Sequence, residues 1–107
     1  MTGQAMTAEV EGKLAALEAG LAEARRLLDR LQVIKTDRPR PEDTYRDLTR
    51  WLRTARALDR ELGTLMQRLT QQGAELEALA EDIPLEGQTR LAAIREALQV
   101  VRQHLGR

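Results

Sequence analysis

Between Pro41 and Ile83, apolar side chains return every three or four residues. Leu48, Trp51, Ala55, Leu58, Leu62, Leu65, Leu69, Leu76, Leu79 and Ile83 form the series, and only Gln72 interrupts it. Such intervals place them on one stripe of an α-helix with the spacing of a heptad seam. Tyr45, Leu52 and Met66 flank the stripe, all at the e position if Leu48 is a. Two further segments carry the same pattern. Val10, Leu14, Leu17, Leu21, Ala24, Leu28 and Leu31 alternate at four and three, widened by Leu27 and Ile34. Leu91, Ile94, Leu98, Val101 and Leu105 repeat it near the end of the chain. Stripes wider than strict a and d positions suit bundle helices with two neighbours each.

The polar positions punctuate these helices. Thr7 is a fair N-cap with Glu9 and Glu11 in the first turn, where the helix dipole favours acids. Gly12 and Gly20 lie off the seam and cost about 1 kcal/mol each relative to alanine. Thr36-Asp-Arg-Pro-Arg-Pro41 forbids continuous helix and forms a short connection, so the first two helices run antiparallel. Pro41 fits a first helical position, followed by Glu42 and Asp43. At Gly73 two readings compete: an unbroken helix to about Asp82, or a turn back at the glycine. The heptad register passes straight through Gln72 to Leu76 and Leu79, which favours the unbroken helix. Pro84 then marks the corner, and Gly106 is a C-terminal cap.

The pattern therefore predicts an all-α fold, an antiparallel three-helix bundle with a long central helix and coiled-coil-like packing. Helices are expected at about 7–35, 41–82 and 86–105, in one domain over 7–107 behind a disordered tail at 1–6. Helices one and three each cover only part of helix two, so each end of helix two is left with one covering helix. A second copy in a dimer, or a helical partner, supplies the missing cover. Tyr45, Trp51, Leu52 and Met66 are the candidate interface, with Trp51 equally readable as a core anchor.

Composition sharpens this picture mainly by exclusion. Leucine and alanine, 18 and 15 residues, supply most of the apolar content and favour helix. Cysteine and serine are absent, which removes disulfides, thiolate metal sites and the usual nucleophiles. His104 is the single imidazole, in the last turn of the last helix, where it reads as a surface residue. Glu77, Glu81 and Asp82 are the nearest approach to a cation site, and they also read as a solvated face. No catalytic, cofactor or metal residue is assigned, and an interaction role without catalysis is expected. No stretch has the length of a membrane span or the layout of a secretory leader, so a cytoplasmic protein is expected. Fifteen arginines against two lysines, with no asparagine or phenylalanine, suggest a GC-rich, bacterial coding sequence.

Charge adds one alternative. The chain is neutral overall, yet residues 25–60 hold 11 basic and six acidic groups, a net of +5. Arg46, Arg50, Arg53 and Arg60 fall on the outward face of helix two and form a candidate phosphate-binding stripe for nucleic acid. Asp43, Asp47 and Asp59 are placed to pair with part of it, and no aromatic residue interleaves to stack a base. Nucleic-acid binding is accordingly the second reading.

Overall fold

The structure, a computed structural model, describes residues 6–105. It contains α1 (Ala8–Thr36), α2 (Tyr45–Ala78) and α3 (Leu85–Leu105), with a 3-10 turn at Ala80–Asp82. No strand forms among the described residues, and the fold is an all-α three-helix bundle with a long central helix. Lys13 reaches Glu75 while Ile34 meets Trp51, so α1 and α2 are antiparallel. Arg95 reaches Glu77 and Leu98 lies beside Gly73, which sets α3 antiparallel to α2.

Local chemistry explains the boundaries. Thr7 is extended, and its hydroxyl accepts the Val10 N–H at 3.2 Å, as an N-cap should. The start of α2 differs from expectation. Pro41 lies in a turn, Asp43 accepts the Arg40 N–H at 2.7 Å, and Thr44 is the N-cap. Thr44 accepts the Asp47 N–H while its hydroxyl donates to the Asp47 carboxylate at 2.8 Å. This Thr-x-x-Asp arrangement satisfies an orphan donor of the first turn, and the helix begins behind it.

At Gly73 the helix continues, and α2 runs 34 residues, about 51 Å at ~1.5 Å per residue. It ends at Ala78, short of Asp82, because the chain tightens into the 3-10 turn. The Gln88 side-chain amide donates to the carbonyls of Ala80 and Ile83, at 2.8 and 3.0 Å, and so holds the corner before α3. The expected tail at 1–5 and the cap at Gly106 lie outside the described residues. Met6, also assigned to the tail, is half-buried and packs on the core.

The core is one continuous apolar cluster with no buried polar or charged residue among the described ones. Leu14, Leu17, Leu62, Leu69, Leu76 and Leu91 are fully buried, each contributing roughly 1.5–3 kcal/mol by leaving water. Gly20 is not off the seam as expected: a Cβ there would meet Leu69 Cδ2 at 2.4 Å, so the glycine lets α2 approach. Gln72 is half-buried in a shallow surface cleft beside Lys13 and Glu75. It leaves a gap in the seam.

The expected shortage of cover is real at only one end of α2. Near Gly73–Glu77, α2 meets both α1 and α3. Its N-terminal turns meet α1 alone. Leu27 of α1 is therefore buried against the hairpin, while Leu28, one residue round the helix, is only half-buried. The molecule extends 71 × 19 × 17 Å.

Candidate functional site

The open end of the α1–α2 hairpin is built by residues near the connection. Ile34 lies in the last turn of α1, where carbonyls lack intrahelical partners. The Trp51 indole N–H donates to that carbonyl at 2.7 Å and ties the two helices together. The Arg38 guanidinium sits 5.9 Å from the centre of the same ring, within cation–π range. Trp51 is thus half-buried, clamping its own chain with one ring face near a cation. It lies outside the buried core cluster and acts as a clamp between the end of α1 and the start of α2.

Beyond this clamp lies an apolar line. Leu48, Leu52 and Ala55 follow at intervals of four and three on one line of α2, and the Asp59 carboxylate comes next on it. Leu48 and Leu52 remain 38 % and 36 % exposed, and Tyr45 beside them 83 %. Asp59 is the one α2 residue bordering a groove of about 940 Å³ between α1 and α3, whose lining carries Glu18, Asp29, Asp59 and Glu96 against Arg25 and Lys35. Leu28, Gln32 and Lys35 line it from α1, and Val100 and His104 from α3. Val100 is 44 % exposed. Leu48 and Leu52 of α2 are left partly bare beyond the reach of α3, and Leu28 of α1 is half-buried beside it.

Met66 was expected at the same interface. It is instead 7 % exposed within the chain's own core, covered without a second copy. The reason is position: Met66 lies two turns beyond Asp59, where α2 has full neighbours. Of the candidate interface residues, Tyr45 and Leu52 reach the surface, Trp51 is the clamp, and Met66 belongs to the bundle. Leu48, a seam position by its spacing, is exposed, while Leu28, Lys35 and Val100 line the groove.

The charges divide by end. At the closed end Arg90 bridges Glu11 and Glu18, Arg95 holds Glu77, and Lys13 lies 3.4 Å from Glu75. The Arg90 hydrogen bond holds Glu18 below its ordinary carboxylate value, and the Arg95 hydrogen bond does the same for Glu77. At the tip, Arg46, Arg50, Arg53, Arg56 and Arg60 are exposed, and no ion pair forms within residues 25–60. The expected pairing to Asp43 and Asp47 does not occur, because the carboxylates of both serve the turn and the N-cap.

Glu77 is engaged by Arg95 and is not gathered with Glu81 and Asp82. No metal-holding cluster exists among the described residues, and no described helix is long and apolar enough to cross a membrane. Compared with known proteins, the chain matches no family model, no curated protein and no solved structure.

Proposed function

We propose that this chain is a helical interaction module whose open hairpin tip accepts one further helix. The observation that carries this is the exposed pair Leu48 and Leu52, on the stretch of α2 that α3 does not reach. A third helix laid there would give the tip the three-helix packing that the closed end already has. The occupant is a second copy of the chain or a helix of another protein. The role proposed is binding.

The test combines mass with substitution. Light scattering over a range of concentrations compares the wild type, 12.1 kDa as a monomer, with a Leu48→Glu, Leu52→Glu variant. Both leucines are partly solvated, so the variant is expected to stay helical by circular dichroism. A dimer that the variant abolishes supports the reading. So does a monomer that binds an amphipathic helical peptide through the same leucines, detected by Trp51 fluorescence. A monomer that binds no such peptide overturns it.

A second reading rests on the unpaired arginines. Arg46, Arg50, Arg53 and Arg60 would dock phosphates of nucleic acid, with affinity falling steeply as salt rises. Absence of binding to duplex and single strands at low salt would remove it.

A further inference from the structure

We infer that the outward face of α2 binds the phosphate backbone of duplex DNA without reading its sequence. This rests on the second reading above and adds the form of the nucleic acid and the mode of contact. Two observations carry it.

The first is an arc of one sign. At ~100° per residue, Arg46, Arg50, Arg53, Arg60 and Arg68 fall within about 80° of the circumference of α2. Ala57 and Thr64 are the only other residues on that arc between Tyr45 and Arg68, so it offers little apolar surface to a bilayer or a protein core. Arg56 stands beside it. All six arginines are exposed, and none forms an ion pair among the described residues. Three acids share this stretch. Asp47 and Asp59 lie about 60° or more beyond the edges of the arc, and the Asp47 carboxylate accepts from the Thr44 hydroxyl. Glu61 lies at one edge. From Arg46 to Arg68 the arc runs about 33 Å at ~1.5 Å per residue, a length over which a duplex presents about 20 charges.

The second is the free circumference of the helix. No residue from Tyr45 to Ala57 is buried, and Leu58 is the first buried residue of α2. Over these turns α2 stands proud, backed by α1 alone. An α-helix with its side chains is ~10–12 Å across, and the major groove of B-form DNA is about 12 Å wide. The first half of the arc therefore fits that groove, with arginines reaching the phosphates of its walls. The major groove of duplex RNA is too narrow to admit it. Contact there is mainly to backbone. Thr49 and Thr54 donate their hydroxyls to the carbonyls of Tyr45 and Arg50, at 2.8 and 3.0 Å. No asparagine or glutamine lies between Tyr45 and Arg60 to pair with adenine. Single strands gain less, because the Trp51 N–H is bonded to Ile34 and Arg38 lies over the ring, which leaves Tyr45 alone to stack a base.

The experiment uses the full chain with short labelled DNA duplexes of two unrelated sequences, one of their single strands, and duplex RNA of the same length. Binding is read by fluorescence anisotropy from low to high salt. The two DNA duplexes should bind alike, and several-fold tighter than single strand or RNA. The logarithm of affinity should fall against that of salt with a slope of about −4.5, ~0.9 for each of five arginines. Arg53→Gln with Arg60→Gln should flatten the slope by about 2. Arg25→Gln with Arg102→Gln removes equal charge from exposed positions on α1 and α3 and should leave it near wild type. Circular dichroism checks that both variants stay helical.

Single strand bound as tightly as duplex overturns the duplex assignment and leaves the nucleic-acid reading standing. Equal binding of duplex RNA overturns the groove placement. Equal weakening by the two double variants overturns the arc as the contact surface. Phosphatidylserine vesicles or poly-glutamate bound as tightly as the DNA overturns the choice of nucleic acid, in favour of a membrane surface or an acidic protein. No binding to any nucleic acid at low salt overturns both the inference and the second reading.

Discussion

Gly12 and Gly20 sit on the same helix and differ in what surrounds them. Nothing lies within 4 Å of a Cβ built on Gly12, while one on Gly20 would strike the fully buried Leu69. Gly12→Ala should therefore stabilise the fold by ~0.5–1 kcal/mol through helix propensity alone. Gly20→Ala gains the same propensity but overpacks the α1–α2 contact, a cost of roughly 1–3 kcal/mol. Its melting temperature is expected at or below wild type, and that of Gly12→Ala above it. Thermal unfolding followed by circular dichroism checks both. Sequence alone treats the two glycines alike, because their difference depends on which face α2 occupies. Trp51 teaches the same lesson. Its seam position was legible, but its bond to Ile34 depends on the end of α1 and the start of α2 meeting at the right height.

Helix α3 is held partly by paired charge, and this gives it its own response to acid. Glu18 and Glu77, which receive Arg90 and Arg95, both titrate below the ordinary value near 4.5. A lowered folded value means the contribution is complete above the unfolded value and is lost as pH falls through the folded one. The pairs are exposed, so the loss is small. Below about pH 4.5, amide protection in α3 should fall before that of the α1–α2 seam, and Glu18→Gln with Glu77→Gln should flatten the dependence. Hydrogen exchange at pH 7 and pH 3.5 measures it. A uniform loss across all three helices would contradict the assignment. These cross-helix pairs were not legible in the sequence, since Arg90 and Glu11 are joined only by packing. Helix identity and the continuity through Gly73 were legible, because a register kept across a weak helix former needs no tertiary information. The start of α2 was misplaced because Pro41 and Thr44 both signal a beginning, and the Thr44–Asp47 bonds decide between them.

At the scale of the molecule, three helices of 29, 34 and 21 residues laid side by side make a rod. The Cα radius of gyration is 18.4 Å, against about 13 Å for a compact chain of this length. Small-angle scattering of the monomer should return the larger figure, and gel filtration should elute it ahead of globular standards of equal mass. A compact profile would mean that α3 or the tip folds back in solution. The unequal helix lengths were readable in the apolar stripes, and they foretold a shortage of cover. Which end lacks it was not, because that depends on α3 starting beside the α1 N-terminus.

The same rod is neutral only in total. Residues 25–60 carry +5, and the remainder of the chain balances them. The ends are separated by far more than the ~8–10 Å over which ions screen a charge, so each behaves as an ion in its own right. Such a body turns in an electric field although it does not migrate. In dilute buffer opposite ends of neighbouring molecules should attract, and added salt should dissolve the protein before more salt precipitates it. A solubility curve that rises with the first increments of salt near pH 6.6 would be the macroscopic trace of arginines crowded at one end of a neutral chain.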